Sequence, residues 1–353
     1  MLRRLTCMAA VVILAGGILT ADESKEKAKD RQWRGLHLLN YDNDKALEAL
    51  SAQMPKLAEM GLNVLILEVS YHFRFQSYPK LRQGQQLITP EGAAKFAAVC
   101  RKNGIRLIPQ FQCLGHQSWS GTTFPLLTEY PDLDLTPGAF PGNKGIYCRE
   151  WDPLNPKVNE IVFKLIDEIL DGFGADAFHV GMDEVFLLGS DKSPSTKGKD
   201  PAELFAKVVN DLHGHLVKKR KVEMLMWADR LFDAKKYNWG EWEAAKNGTA
   251  AALDRIPKDI ILCPWHYERS EKYPSLDLFV SKGFRVLPAS WHKLDASRAL
   301  IEYGQKVQSP KILGHLFTTW GKARRGTLTE YPPMVQGLKL LKESNKSETR
   351  NQN

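Results

Sequence analysis

The chain has 353 residues, 43% of them apolar and 25% charged, with a formal net charge of +8. That balance suits a folded body with a large core and excludes a fibrous or largely disordered chain. The excess charge is scattered. Its one run, KKRK at 218–221, sits at an apparent helix end, where cations favour the dipole, and no basic–aromatic interleaving argues for a nucleic-acid partner.

The first residues read as an export signal. Arg3 and Arg4 precede an apolar core from Met8 to Leu19 and a small residue, Ala21, with acidic residues beyond. The core is short for a membrane span, so residues 1–21 are expected to be a signal peptide and the protein exported, periplasmic or secreted. A signal-anchor is the alternative, and no stable span is expected after processing. Residues 22–32 read as a flexible spacer, 33–343 as the folded catalytic domain and 344–353 as a disordered tail. Cys7 leaves with the signal; Cys100, Cys113, Cys148 and Cys263 remain without metal-type spacing. Either Cys113 joins Cys148, since both flank one long connection, or the thiols are buried and free.

From Trp33 the sequence alternates short apolar runs with longer amphipathic ones. The short runs are WRGLHLLN, LNVLILEVS, IRLIPQFQ, DAFHVGM, VEMLMWAD, DIILCPWHY, FRVLPASW and KILGHLFTTW. Each has the length and apolarity of a parallel strand covered on both faces. Between them lie helical patterns such as DKALEALSAQMPKLAEMG, TPEGAAKFAAVCRKNG and NPKVNEIVFKLIDEILDGFG, opened by Asp, Thr-Pro or Asn-Pro and closed by Gly. Eight such units predict an α/β fold, a single-domain (β/α)8 TIM barrel. No GxGxxG follows the first strand, against a dinucleotide-binding sheet. The connections Cys113 to Asn155 and Leu187 to Asp200 are too long for simple turns and read as functional loops.

In such a barrel the chemistry sits at the C-terminal strand ends. Those ends carry, in order, His37 and Asn40; Glu68, Tyr71 and His72; Gln112 and His116; Asp183 and Glu184; Trp227 and Asp229; Trp265, His266 and Tyr267; Trp291 and His292; and Trp320. Aromatics around carboxylates suit a carbohydrate, whose ring faces stack on aromatics while its hydroxyls need polar partners. A metal hydrolase needs closely spaced ligands, and no HxH or HExxH lies at a strand end. The one HxH, His213 and His215, falls late in a helical pattern and is expected to be a surface feature.

Asp183 and Glu184 in FHVGMDEV are adjacent. Neighbours at a strand end are expected to point apart, so they suit poorly the common scheme of two carboxylates flanking one bond. They suit a substrate that supplies its own nucleophile: a 2-acetamido carbonyl attacks the anomeric carbon, one carboxylate holds the amide N–H and the other protonates the leaving group.

FHVGMDEV resembles the H-x-G-G-D-E signature of glycoside hydrolase family 20, the β-N-acetylhexosaminidases, and residues 152–185 resemble the family's approach to it. WRGLHL resembles the family's first strand, which implies that Arg34 reaches sugar hydroxyls. IPQFQCLGHQ is similar to the third strand and brings in His116; His179 is the histidine of the signature. MWADRL, PWHY and TTW resemble the ends of strands five, six and eight, making Trp227, Trp265 and Trp320 pocket walls. By this resemblance Glu184 is the general acid and then the base, Asp183 orients the acetamido group, the reaction retains configuration, and no cofactor or metal is required.

Four departures accompany the match. Met182 stands for the second Gly of the signature. Trp291 and His292 occupy the place of a strand-seven Tyr, whose bond to the acetamido oxygen falls to Tyr267 or is missing. Gly321 and Lys322 follow Trp320 where an acid is usual. The separate N-terminal domain of many members is not expected here, as in a short, barrel-only branch. The expected function is removal of terminal β-linked N-acetylhexosamine; the alternatives are a glycosidase of the same architecture on a different sugar and a non-catalytic carbohydrate-binding barrel. Nothing in the sequence argues for an oligomer.

Overall fold

In the computed structural model of the chain, which describes residues 32–321 and 327–351, each apolar run is a strand. They are β1 (Trp33–Leu38), β2 (Val64–Glu68), β3 (Arg106–Cys113), β6 (Ala177–Gly181), β7 (Glu223–Trp227), β8 (Ile261–Cys263), β9 (Arg285–Val286), β10 (Ala289–Ser290) and β11 (Gly314–Thr318). A small antiparallel hairpin, β4 (Ser118–Trp119) and β5 (Thr122–Thr123), lies in the loop after β3. The nine main strands form one parallel sheet in the order β10-β11-β1-β2-β3-β6-β7-β8-β9.

The seventh strand closes this sheet into a barrel by pairing on both sides. Pro288, which has no N–H to give a ladder, splits the seventh strand into β9, paired with β8, and β10, paired with β11. The backbone bonds Leu287 N to Leu262 O, Ala289 N to Pro264 O and Leu316 N to Pro288 O carry the pairing across the split. From Trp33 on, the chain is one compact unit.

The period of two along each strand sorts the core. Val64, Ile66, Ile108, Leu225, Ile261 and Leu316 point inward and fill the barrel. Leu36, Leu65, Leu67, Val180, Met224 and Leu262 point outward against the helices. Burying such side chains is worth roughly 1.5–3 kcal/mol each.

The helices begin where the sequence signals them. Thr89, Asn155 and Asp200 cap Pro90–Lys102, Pro156–Phe173 and Pro201–His213, each with Pro at the first helical position. The pattern at 44–61 reads as one helix but forms two, Asp44–Ser51 and Met54–Met60. Pro55 lacks the N–H a continuous helix needs and its ring crowds the Ser51 carbonyl. The last helix, Pro332–Asn351, has helical backbone into the stretch read as a tail. The expected signal, most of the spacer and Lys322 lie outside the described residues.

One open alternative is resolved and one expectation changes. Cys113 and Cys148 are free and buried rather than bridged; Cys113 Sγ faces the Phe111 carbonyl and Cys148 Sγ the Glu184 carbonyl. His213 and His215 are buried, not surface features. Each Nε2 meets an aspartate at 2.8 Å, Asp259 and Asp167 respectively, so they lock the end of that helix to its neighbours.

Candidate active site

The strand end β6 bears the carboxylate pair, and its backbone explains how. Gly181, Met182 and Glu184 have φ of 68°, 76° and 52°, the left-handed region that costs a non-glycine residue about 1–3 kcal/mol. This turn breaks the strand's alternation, so the two carboxylates converge instead of pointing apart as expected. His116, itself at φ 52°, stands between them: its Nε2 lies 3.3 Å from Asp183 Oδ2 and 3.0 Å from Glu184 Oε2. β3 carries one extra residue against β6 between Gln110 and Cys113, and this bulge aims the following loop, with His116, at the site.

The electrostatics are those of an ion pair. Burial alone would lower the His116 pKa, but the Asp183 charge overcomes it and holds the imidazole well above its usual value. Burial would raise the Asp183 pKa; the His116 cation, together with a hydrogen bond from Gln112, keeps it below the ordinary carboxylate range. Asp183 is therefore an anion and His116 a cation at neutral pH. The carboxylates and His116 are close enough to hold a metal ion, with ligand atoms within 4.8 Å of one another. Holding one would require His116 to give up its proton first.

A second layer fixes the pair. The Glu184 N–H donates to Asp229 Oδ2 at 2.9 Å, Arg230 Nε donates to the same oxygen at 2.6 Å, and Trp265 Nε1 donates to Asp229 Oδ1 at 3.3 Å. Buried Glu150 accepts the N–H groups of Phe186 and Leu187 at 2.6 and 2.9 Å, tying the long loop after β3 to the loop after β6. Arg149 holds the former loop through Asn143, Asp134 and the Phe140 carbonyl.

Inside the barrel mouth, buried polar atoms without a protein partner collect. His37 Nε2 bonds Gln110 Oε1 at 3.1 Å, and Gln110 Nε2 donates to Glu68. With that amide oxygen as acceptor, His37 carries its proton on Nε2 and turns an open acceptor, Nδ1, to the pocket. His179 Nδ1 accepts from the Gly181 N–H, which leaves a donor on Nε2. Trp227 Nε1, Gln112 Oε1 and Asp183 Oδ1 are equally open. Burial lowers both histidines, His37 to about 4, so these rings are neutral.

Aromatic side chains enclose this pocket. Trp227 lies against His179 and His37 with ring centres 4.6 and 5.3 Å away, and Trp320 against His37 at 4.8 Å. Trp265 stacks on Tyr267 at 4.8 Å, Tyr267 meets Trp291 at 5.4 Å, and Trp320 Nε1 donates to the Tyr267 hydroxyl at 2.6 Å. The Tyr267 oxygen is thus an acceptor already used, and the same hydroxyl is also hydrogen-bonded to Thr318.

The arrangement offers a cation-flanked carboxylate pair beside a wall of aromatics and unfilled donors and acceptors. The model of "Glycosyl hydrolase family 20, catalytic domain" matches residues 32–315. The chain belongs to this family. Among curated relatives, a beta-hexosaminidase of Emericella nidulans is 23% identical over 295 residues, 73% of this chain and 43% of the relative. Beta-hexosaminidase 1 of Coccidioides posadasii is 23% identical over 82% of this chain and 49% of the relative, so the chain spans about half the length of these two. Of solved structures, a Flavobacterium johnsoniae chitobiase aligns with TM-score 0.60 and 19% identity over 86% of this chain and 48% of that one. Dispersin B aligns with TM-score 0.55 and 16% identity over 87% of this chain and 97% of that one. These likenesses establish the barrel.

Of the residues singled out from the sequence of this family-20 chain, Asp183, Glu184, His116, His179, Trp227, Trp265, Tyr267, Trp291 and Trp320 come together. Arg34 does not. It sits near the N-terminal end of β1, three residues and about 10 Å below His37, with its side chain on the helix side of the sheet. Its Nε donates to the Gly61 carbonyl at 2.6 Å, the C-terminal cap of Met54–Met60. The period of two sends residues 34 and 37 to opposite faces, and that decides it.

Sequence reasoning missed Gln110, mid-strand and apparently core, and the loop aromatics Trp119, Tyr147, Phe186 and Trp242. The Tyr147 hydroxyl is hydrogen-bonded to Glu184, and burial with that neighbouring charge pushes the phenol up. Loop aromatics carry no periodic signal; the density of rings in SWSGTTF, GIYC and NWGEW was the available hint.

Proposed function

We propose that this chain is a retaining glycoside hydrolase that removes a terminal β-linked N-acetylhexosamine by substrate-assisted catalysis. The observation that carries the reading is Asp183: an anion held by His116 and Gln112, with Oδ1 buried and unpartnered beside Glu184. An acetamido N–H satisfies that acceptor. The acetamido oxygen then attacks the anomeric carbon while Glu184 gives its proton to the departing glycosidic oxygen, and the Asp183 charge stabilises the resulting oxazolinium. In the second step Glu184 takes a proton from water, the water oxygen bonds to the anomeric carbon from the leaving-group face, and the acetamide is restored.

The remaining groups bind and orient. Trp227, Trp265, Tyr267, Trp291 and Trp320 wall the ring. His37, His179 and Gln112 present two acceptors and a donor for hydroxyls. No cofactor enters this scheme. Export, read from Arg3, Arg4 and the apolar run after them, belongs to the same proposal; among the described residues no helix is long and apolar enough to cross a membrane.

One observation favours a second reading, a different sugar on the same architecture. The arginine expected to grip hydroxyls faces away, and neutral His37 with Gln110 and Glu68 lines the pocket. The test compares aryl β-N-acetylglucosaminide and β-N-acetylgalactosaminide with the 2-hydroxy analogue. Turnover confined to acetamido sugars and a loss of about 10²–10⁴-fold in kcat for Glu184→Gln, with sugar binding kept, is the expected result. Equal turnover of the 2-hydroxy analogue points to the second reading, and binding without turnover to a lectin-like barrel.

A further inference from the structure

Trp265 and Tyr267, two of the aromatics that enclose the pocket, stand just past the end of β8 with His266 between them. The period of two turns both of them into the barrel and His266 outward, where it lies buried against Trp239 and Tyr273. The last rung of the sheet here is the His266 N–H on the Ala289 carbonyl. Beyond it the Tyr267 N–H has no strand to give to, and a donor left without a partner at that depth would be costly.

Glu243, from the loop after the short helix Ala234–Tyr237, stands in for the missing strand. Its Oε1 accepts the Tyr267 N–H at 2.9 Å, and its Oε2 accepts from His266 Nδ1 at 2.8 Å and from Trp239 Nε1 at 2.9 Å. His266 Nε2 lies 2.7 Å from Ser275 Oγ, in the first turn of Pro274–Ser281, so the imidazole is held at both nitrogens. Burial would raise the Glu243 pKa, but the bond from His266 outweighs it and keeps the carboxyl below its ordinary range, an anion with acceptors only. The loop itself is anchored by other bonds. Arg230 Nη2 donates to the carbonyls of Glu241, Trp242 and Ala244 at 2.7–3.0 Å, and Asn247 Nδ2 donates to that of Val185 at 2.9 Å.

What Glu243 grips continues into the pocket. The Tyr267 hydroxyl accepts from Trp320 Nε1, its ring stacks on Trp265, and Trp265 Nε1 donates to Asp229, which takes the Glu184 N–H. We propose that Glu243 is a positioning residue for sugar binding, fixing Trp265 and Tyr267 in the barrel mouth by holding the backbone and the outward histidine between them. The inference rests on the reading of these aromatics as walls of the sugar pocket. Glu243 acts through the placement of its bonds and not through its charge. A glutamine therefore keeps most of the device: its Oε1 accepts the Tyr267 N–H, and its Nε2 donates to His266 Nδ1 once the imidazole carries its proton on Nε2, facing Ser275 Oγ. A leucine keeps none of it.

The test measures KM, kcat and thermal unfolding for the full chain, Glu243→Leu and Glu243→Gln, with an aryl β-N-acetylglucosaminide as substrate. Glu243→Leu is expected to raise KM about tenfold with kcat within about threefold, and Glu243→Gln to keep KM within about twofold of the unaltered chain. A role confined to stability lowers the melting temperature and the active fraction, hence kcat, but leaves KM where it was; that outcome overturns the proposal. So does a Glu243→Gln variant as impaired as Glu243→Leu. Should Glu243→Leu fail to fold, Glu243→Asp, too short to reach both Tyr267 and His266, shows the same rise in KM, and an unchanged KM overturns the proposal. If the unaltered chain turns over no substrate, the reading of its function fails separately, and calorimetry with N-acetylglucosamine decides the positioning. Affinity lost about tenfold in Glu243→Leu and kept in Glu243→Gln supports it, and equal affinity or no binding overturns it.

Discussion

The two ends of the barrel treat polar groups in opposite ways. At the N-terminal end charges are paired off. Arg106 meets Asp176 at 2.9 Å and Glu223 at 2.7 Å, Arg285 meets Glu223 at 2.5 Å, and Arg34 and Lys342 donate hydrogen bonds to the carbonyls of Gly61 and Glu59 at the end of one helix. At the C-terminal end, histidine, indole, amide and carboxylate atoms are buried with no protein partner, over left-handed backbone at His116, Met182, Glu184 and Trp320. An unmade buried hydrogen bond costs about 1–3 kcal/mol, and such open atoms collect at the C-terminal end, with His315 Nδ1 the exception near the other. One end of this fold is built for stability and the other for a ligand.

The largest expected effect strikes the strained end through Gly181. A Cβ there would lie 1.7 Å from Gln112 Oε1, at a φ of 68° that an L side chain already resists. Gly181→Ala displaces Gln112, whose bond helps to hold Asp183 ionised. We expect kcat for an N-acetylhexosaminide to fall by about 10²-fold, since an ångström of misplacement is worth that much. Thermal unfolding distinguishes this from collapse of the barrel, and a variant with full activity would mean that the open amide is spectator to the chemistry.

A smaller effect separates the two ends by pH. Burial pushes Glu150 up to about 7, partly offset by the N–H groups of Phe186 and Leu187. Its folded pKa lies above the unfolded value, so the fold binds more protons than the unfolded chain between about pH 4.5 and 7. That contribution is complete below pH 4.5 and is lost as pH rises through 7, by at most about 3 kcal/mol. Glu150→Gln does not titrate. The melting temperature of the variant relative to the unaltered chain should therefore rise by a few degrees between pH 5 and 8; a constant difference would sink the assignment.

How much was legible follows from which signals are local. Strand runs, Pro-led helix starts and the Asp183–Glu184 pair are written in consecutive residues, and each stands where it was read. The barrel was read from those runs too, but the break in its seventh strand at Pro288 was not, because which neighbour each half pairs with is a long-range property. The convergence of the carboxylates was hidden too: it depends on left-handed φ at Met182 and Glu184, which no side-chain pattern announces. Tyr147 and Trp242 reach the site only because Glu150 and Arg230 pin their loops, so their role appears only once tertiary hydrogen bonds are known. Arg34 marks the opposite failure, a residue matched by motif whose face of the strand points elsewhere.

The smallest effect is for that reason the sharpest test of the comparison. If Arg34 belongs to the stable end, Arg34→Met removes a charge-assisted bond to the Gly61 carbonyl and costs about 1–2 kcal/mol of stability. KM and kcat should stay within about twofold, because no part of the side chain lines the pocket. A tenfold rise in KM with unchanged stability would place the guanidinium among the sugar-binding groups, as the first-strand resemblance implies. Its bond to Gly61 would then have to open when substrate enters. The sign of the trade is what matters: a residue at the paired end moves the melting curve, and one at the open end moves the kinetics.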